Sequence, residues 1–85
     1  MTYTILYTKK AIEDIQNLKA AKLADKASSL CKSLSINSMP SNSKKLYRDL
    51  KGKHSIRINL QHRLVYEIFE KEKKIKIISM WGHYE

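Results

Sequence analysis

The chain has 85 residues, with 17 lysines and arginines against 8 aspartates and glutamates and a formal charge of +9. A chain this short forms one domain over residues 1–85 and buries only about 60% of its unfolded surface, so a deep enclosed pocket is excluded and any site is a shallow face completed by a larger partner. A single cysteine excludes an internal disulfide and disfavours a thiolate metal centre, and no apolar run approaches the ~20 residues needed to span a bilayer.

Thr2 to Tyr7 alternates Tyr3, Ile5 and Tyr7 against Thr4 and Leu6, the period of a strand. Thr8 has the chemistry to cap a helix beginning at Lys9. In that helix Ala11, Ile12, Ile15 and Leu18 recur at three- and four-residue intervals, which places Lys10, Glu13, Asp14 and Asn17 on the other face. A second helix runs through Leu23, Ala27, Leu30, Cys31 and Leu34. A turn near Lys19-Ala20 is expected between them, because one helix from Lys9 to Ser35 would outreach so small a sheet. Cys31, at helical spacing from Leu34, reads as a small buried thiol rather than a nucleophile.

Ile36 to Ser43, with Asn37, Ser38, Pro40, Ser41 and Asn42, reads as a loop. The rest is strand-like. Leu46 to Leu50 leads into a turn at Lys51-Gly52, and Ser55 to Asn59 alternates. Arg63 to Phe69 has the composition of a central strand, Glu70 to Lys73 is a polar hairpin tip, and Ile75 to Trp81 closes the sheet. The expected fold is α+β: one N-terminal strand, two helices, then a three- or four-stranded antiparallel meander with the helices on one sheet face. Arg57 is opposite in phase to Ile56 and Ile58, so it faces the open side if the isoleucines face the helices. The phase of Arg63 stays open, because Leu64, Val65, Tyr66, Ile68 and Phe69 put apolar groups on both faces.

The charge is clustered. Between Lys44 and Arg63 stand Lys44, Lys45, Arg48, Lys51, Lys53, Arg57 and Arg63 against Asp49 alone, a concentration whose natural counterparts are phosphate backbones or acidic proteins. The competing reading is a solvated surface kept for solubility.

Cutting RNA without a metal requires a base for the 2′-hydroxyl, cations for the charged phosphorane, and an acid for the departing 5′ oxygen. The sequence supplies the last two. Histidine titrates near neutrality and arginine can pair two phosphate oxygens at once. Of the three histidines, His83 stands at a strand end beside Tyr84, whose ring can stack an unpaired base; the plainer alternative for it is a frayed terminus. His62 falls in a turn and reads as structural. His54, beside Lys51 and Lys53, reads as a backbone-phosphate contact or plain surface.

His62-Arg63-Leu64-Val65-Tyr66, preceded by Leu46…Leu50-Lys51-Gly52 and Arg57-Ile58 and followed by His83-Tyr84, resembles the YoeB/Txe branch of the RelE superfamily of toxin–antitoxin toxins. The resemblance implies a cytoplasmic, metal- and cofactor-independent endoribonuclease that cleaves mRNA in the ribosomal A site. It also implies a cognate antitoxin as partner beside the ribosome and mRNA, with monomer or dimer left open. Position by position it makes Arg63 the phosphate-stabilising arginine, His83 the general acid and Tyr84 the substrate-orienting tyrosine. Arg57 matches a further basic position. Where such proteins carry a presumed general-base glutamate, this chain has Lys44, which with Lys45, Lys51 and Lys53 is assigned to RNA binding. The alternatives are a ParE-like inhibitor of DNA gyrase, whose chains are not expected to end in this His-Tyr pair, or a protein that binds RNA or antitoxin without catalysis.

Overall fold

The computed structural model describes residues 2–46 and 52–82. In chain order they form strand β1 (Thr4–Tyr7), helices α1 (Lys9–Ala20) and α2 (Ala24–Ile36), and strands β2 (Ser43–Lys45), β3 (Lys53–Arg57), β4 (Arg63–Phe69) and β5 (Lys74–Ser79). The five strands make one sheet in the order β1-β5-β4-β3-β2. The last four form the expected antiparallel meander, and β1 joins beside β5 in parallel, with the helices carrying the chain from β1 to β2 at the opposite edge.

Thr8 joins the first strand to the first helix. Its Oγ1 accepts from the Ala11 N–H at 3.1 Å and donates to the Ile78 carbonyl at 2.7 Å, so one hydroxyl caps α1 and ties it to β5. The break after α1 is a Schellman turn: Leu23 N–H donates to Leu18 O and Lys22 N–H to Lys19 O, with Lys22 at φ 62° in the left-handed region that glycine usually occupies. The two helices are therefore a hairpin, as their length requires.

The core lies between the helices and one sheet face, where Leu18, Ala27, Cys31 and Leu34 meet Ile56, Ile58, Leu64, Tyr66, Ile75 and Ile77. Three placements correct the helical and strand patterns. Asp14, expected among the solvated residues of α1, is 2% exposed. Its carboxylate accepts the Met80 N–H at 2.9 Å and pairs with Lys10 at 3.1 Å, because a backbone donor just past the end of β5 needs a buried acceptor. Ile12, expected in the core, is exposed, since α1 buries the stripe through Ala11, Asp14 and Leu18 and Ile12 falls to one side of it. His54 is buried, its ring stacked on Tyr66 at 5.5 Å, rather than on the surface.

Strand boundaries shift as well. The second strand lies at Ser43–Lys45, within and just after the predicted loop, whereas residues 47–51, including the predicted Leu46–Leu50 strand beyond its first residue, lie outside the described part. The closing strand is interrupted by a bulge. Tyr66 pairs with Ile77 but the next β4 residue, Val65, pairs with Ser79, so Ile78 is the extra residue. The alternation is thereby reversed: Met80, not Ser79, joins the core.

Candidate nucleic-acid interface

Strand alternation fixes the side of the sheet that the helices leave open. Ile56 and Leu64 enter the core, so Arg57 and Arg63 point to the opposite face, where they stand directly opposite each other in the β3–β4 register. This settles the phase of Arg63. Two like charges on facing positions destabilise a strand pair by a few tenths of a kcal/mol or more. Among the described residues the ion pairs are Lys10–Asp14 and Lys73–Glu70; neither brings a carboxylate to the arginines. A pair that costs stability and has no counter-ion among the described residues leaves room for an external anion.

The third cation arrives on β2. Lys44 pairs with Ser55, and the same row continues across the sheet through Val65 to Ser79. Lys44, Arg57 and Arg63, with Asn42 from the preceding loop, line a concavity of about 430 Å³. The middle of that row is buried: Ser55 Oγ and Ser79 Oγ have no hydrogen-bond partner among the described residues, and neither does the buried Arg63 Nε. Buried donors in that condition are costly, and an anion seated between the arginines would give Arg63 Nε its acceptor.

Of the other lysines assigned to RNA, Lys45 is one residue out of phase with Lys44 and pairs with His54, where it reinforces burial in holding the imidazole pKa below its ordinary value. Lys53 pairs with Glu67. Neither lines the concavity. Lys51, His83 and Tyr84 lie outside the described residues. The chain leading to His83 is nevertheless placed, because the Arg63 N–H donates to the Gly82 carbonyl at 2.9 Å, so the residue covalently joined to His83 is held against the backbone of Arg63. Asn42 carries no sequence signal beyond membership of a polar loop directly before a basic strand.

A second cleft, of about 280 Å³, lies between the helices and the sheet, lined by Tyr7, Ile15, Leu18, Ala27, Cys31 and Met80 among others. Burial raises the Cys31 thiol pKa, and burial followed by the Cys31 contact pushes Tyr7 up to about 12. Both stay protonated near neutrality, so neither is a nucleophile there. The clustered cations lie on the open face instead.

Strand, helical hairpin and meander, with a cluster of cations on the uncovered face, define a RelE-like α+β toxin fold. The chain belongs to a family within that class: residues 7–84 match the YoeB-like toxin of bacterial type II toxin–antitoxin systems. A comparison with curated proteins found no match. Among solved structures, the chain is similar to the YoeB–YefM complex from Staphylococcus aureus, with 32% identity and a TM-score of 0.80 over 99% of this chain and 100% of that one. It is also similar to the RelBE2 toxin–antitoxin complex from Mycobacterium tuberculosis, with 26% identity and a TM-score of 0.79 over 98% and 100% of the two chains. The YoeB/ParE toxin from Agrobacterium tumefaciens shares the fold, with a TM-score of 0.86 at 21% identity over 95% of this chain and 99% of that one.

Proposed function

We propose that this toxin is an endoribonuclease that cuts messenger RNA in the ribosomal A site and is restrained by a cognate antitoxin. The observation that supports this reading is the convergence of Lys44, Arg57 and Arg63 on one concavity, without a facing carboxylate among the described residues, beside the backbone that leads to His83. A phosphodiester seats between the arginines. Arg63, whose buried Nε has no partner among the described residues, stabilises the phosphorane as negative charge develops, and Arg57 holds the adjoining phosphate oxygens. As the 2′-hydroxyl attacks phosphorus, its proton passing to solvent water, and the P–O5′ bond breaks, His83 gives its proton to the leaving 5′ oxygen, and Tyr84 stacks on the base to fix the attacking geometry. Lys44 serves as a phosphate ligand at the rim.

The concavity is open to one side rather than enclosed, and on this reading the ribosome supplies the remaining walls and the orientation of the message. The solved relatives named as complexes, YoeB–YefM and RelBE2, support an antitoxin as the physiological counterpart, its acidic groups occupying the place of the phosphates. Action on translating ribosomes implies the cytoplasm as its place of work. No helix among the described residues is long and apolar enough to cross a membrane.

The test is cleavage of a defined message on programmed ribosomes, mapped by primer extension, with gyrase supercoiling measured in parallel. Cuts at the A-site codon that vanish in His83→Gln, with supercoiling unaffected, are expected. An intact message with the unaltered protein would refute the nuclease, and inhibited supercoiling would replace it with a gyrase inhibitor.

A further inference from the structure

His62 belongs to the turn between β3 and β4, yet its side chain does not turn to solvent. Its Nδ1 accepts the Gly82 N–H at 3.0 Å, and its ring stacks on Trp81 with centroids 3.8 Å apart and planes 19° from parallel. The next residue, Arg63, donates its own N–H to the Gly82 carbonyl at 2.9 Å. Both hydrogen-bonding groups of Gly82 are therefore held by two consecutive residues of one strand start. Gly82 sits at φ +102°, where a side chain would be strained although an added Cβ would meet nothing within 4 Å. A glycine is required there by backbone conformation rather than by space.

The grip is itself braced. Asn59 Oδ1 accepts from the N–H groups of both Gln61 and His62, at 2.9 and 2.8 Å, and Ile58 N–H donates to His62 O at 2.9 Å, so the turn that presents the imidazole is ordered by its own hydrogen bonds. Upstream on the same segment, Thr8 Oγ1 donates to Ile78 O and Asp14 accepts from Met80 N–H. Residues 78, 80 and 82 are thus each tied to a different part of the fold. The last tie falls on the residue bonded to His83, and it is made by the neighbour of Arg63.

We propose that His62 is a positioning residue for RNA cleavage, its Nδ1 and ring holding Gly82 and Trp81, the segment that leads into the general acid His83, against the start of the strand that carries Arg63. This inference rests on the nuclease reading. An acceptor at the Nδ1 position is what the geometry demands, so the imidazole does its work in the tautomer that carries its proton on Nε2. It touches neither phosphate nor leaving group; its effect on rate comes through the placement of its neighbour.

Three variants separate acceptor from stack. His62→Phe keeps a ring against Trp81 and removes the acceptor; His62→Asn restores an amide oxygen near the Nδ1 position; His62→Ala removes both. Single-turnover cleavage on programmed ribosomes is read as a maximal rate and as a half-saturating toxin concentration, alongside hydrogen exchange of the Gly82 amide. The expected result for His62→Phe is a maximal rate about 10²-fold lower, the scale of a misplacement near 1 Å. Half-saturation should be unchanged and Gly82 exchange faster, and His62→Asn should recover most of both losses. A merely structural role would move melting temperature without that selective recovery. Wild-type rates in His62→Phe, or a His62→Asn as slow as His62→Phe, would overturn the assignment. If His62→Phe fails to fold, His62→Gln, whose amide oxygen sits one bond further out, replaces it as the acceptor-misplaced variant, with the same slow rate expected and a wild-type rate overturning the proposal. Absence of cleavage by the unaltered protein would instead bring down the nuclease reading, and this one with it.

Discussion

The two faces of the sheet treat polar groups in opposite ways. On the helix-covered face the buried Asp14 carboxylate has both a backbone donor and a lysine, and the Tyr66 hydroxyl donates to Ser38 O at 2.9 Å. On the open face Arg57 stands against Arg63, and Ser55 Oγ, Ser79 Oγ and Arg63 Nε are buried without partners among the described residues. The first arrangement minimises free energy in the isolated chain. The second leaves interactions unmade that an anion can complete, so the face that costs stability is the one organised for function.

The largest contrast comes from changing one residue on each face. Arg63→Ala should lower ribosome-dependent cleavage by about 10²- to 10³-fold, the usual loss when a preorganised charge-stabilising group is removed. Its melting temperature should hold or rise, because a like-charge contact with Arg57 disappears. Leu34→Ala, in the core, should do the reverse, costing about 2–5 kcal/mol of stability while the folded fraction cleaves normally. Cleavage rates and thermal melts on the same two preparations test the division; a strongly destabilised Arg63→Ala would show that the arginine pair is structural.

Asp14 sharpens the comparison at a smaller scale, since it lies on the stable face yet holds the segment that leads to the site. Asp14→Ala leaves the buried Met80 N–H without an acceptor and should cost about 1–3 kcal/mol, read as a shift of the urea midpoint at unchanged slope. Asp14→Asn, which keeps an acceptor oxygen, should recover much of it.

How far these features were legible in the sequence depended on whether local chemistry or distant partners decided them. Arg57 was placed correctly because the isoleucines on either side fix its phase, and Thr8 was recognised because a cap is a contact three residues away. Lys44 and Lys45 were grouped as equivalent, since the strand that separates them onto opposite faces was expected to begin only at Leu46. Asp14 follows helical polarity until Met80, 66 residues away, supplies a donor. The break after α1 carried no glycine, because Lys22 adopts the left-handed conformation itself. The bulge at Ile78 left no mark either: Ile75 to Trp81 reads as one continuous strand, and only pairing with β4 reveals the extra residue that turns Met80 inward. His62 offered turn composition but not the direction of its ring, which depends on Trp81 and Gly82.

His54 gives the smallest predicted effect and the one whose sign is least intuitive on so basic a protein. Burial first, and the nearby Lys45 second, hold its pKa below the ordinary value of about 6.5. Folding therefore favours the neutral ring, and the unfolded chain binds the proton more readily. Stability is full above the ordinary histidine pKa. It declines as pH falls below that value, because protons are taken up preferentially by the unfolded state, and the decline levels off once pH passes the lower folded-state pKa. His54→Phe keeps a ring for the stack on Tyr66 and removes the proton site, so its melting temperature should fall less than that of the unaltered protein between pH 7.5 and about pH 5. Parallel slopes in that interval would mean that the proton uptake lies elsewhere, and because His54 sits on the helix-covered face, cleavage per folded molecule at pH 7.5 should not distinguish the two proteins.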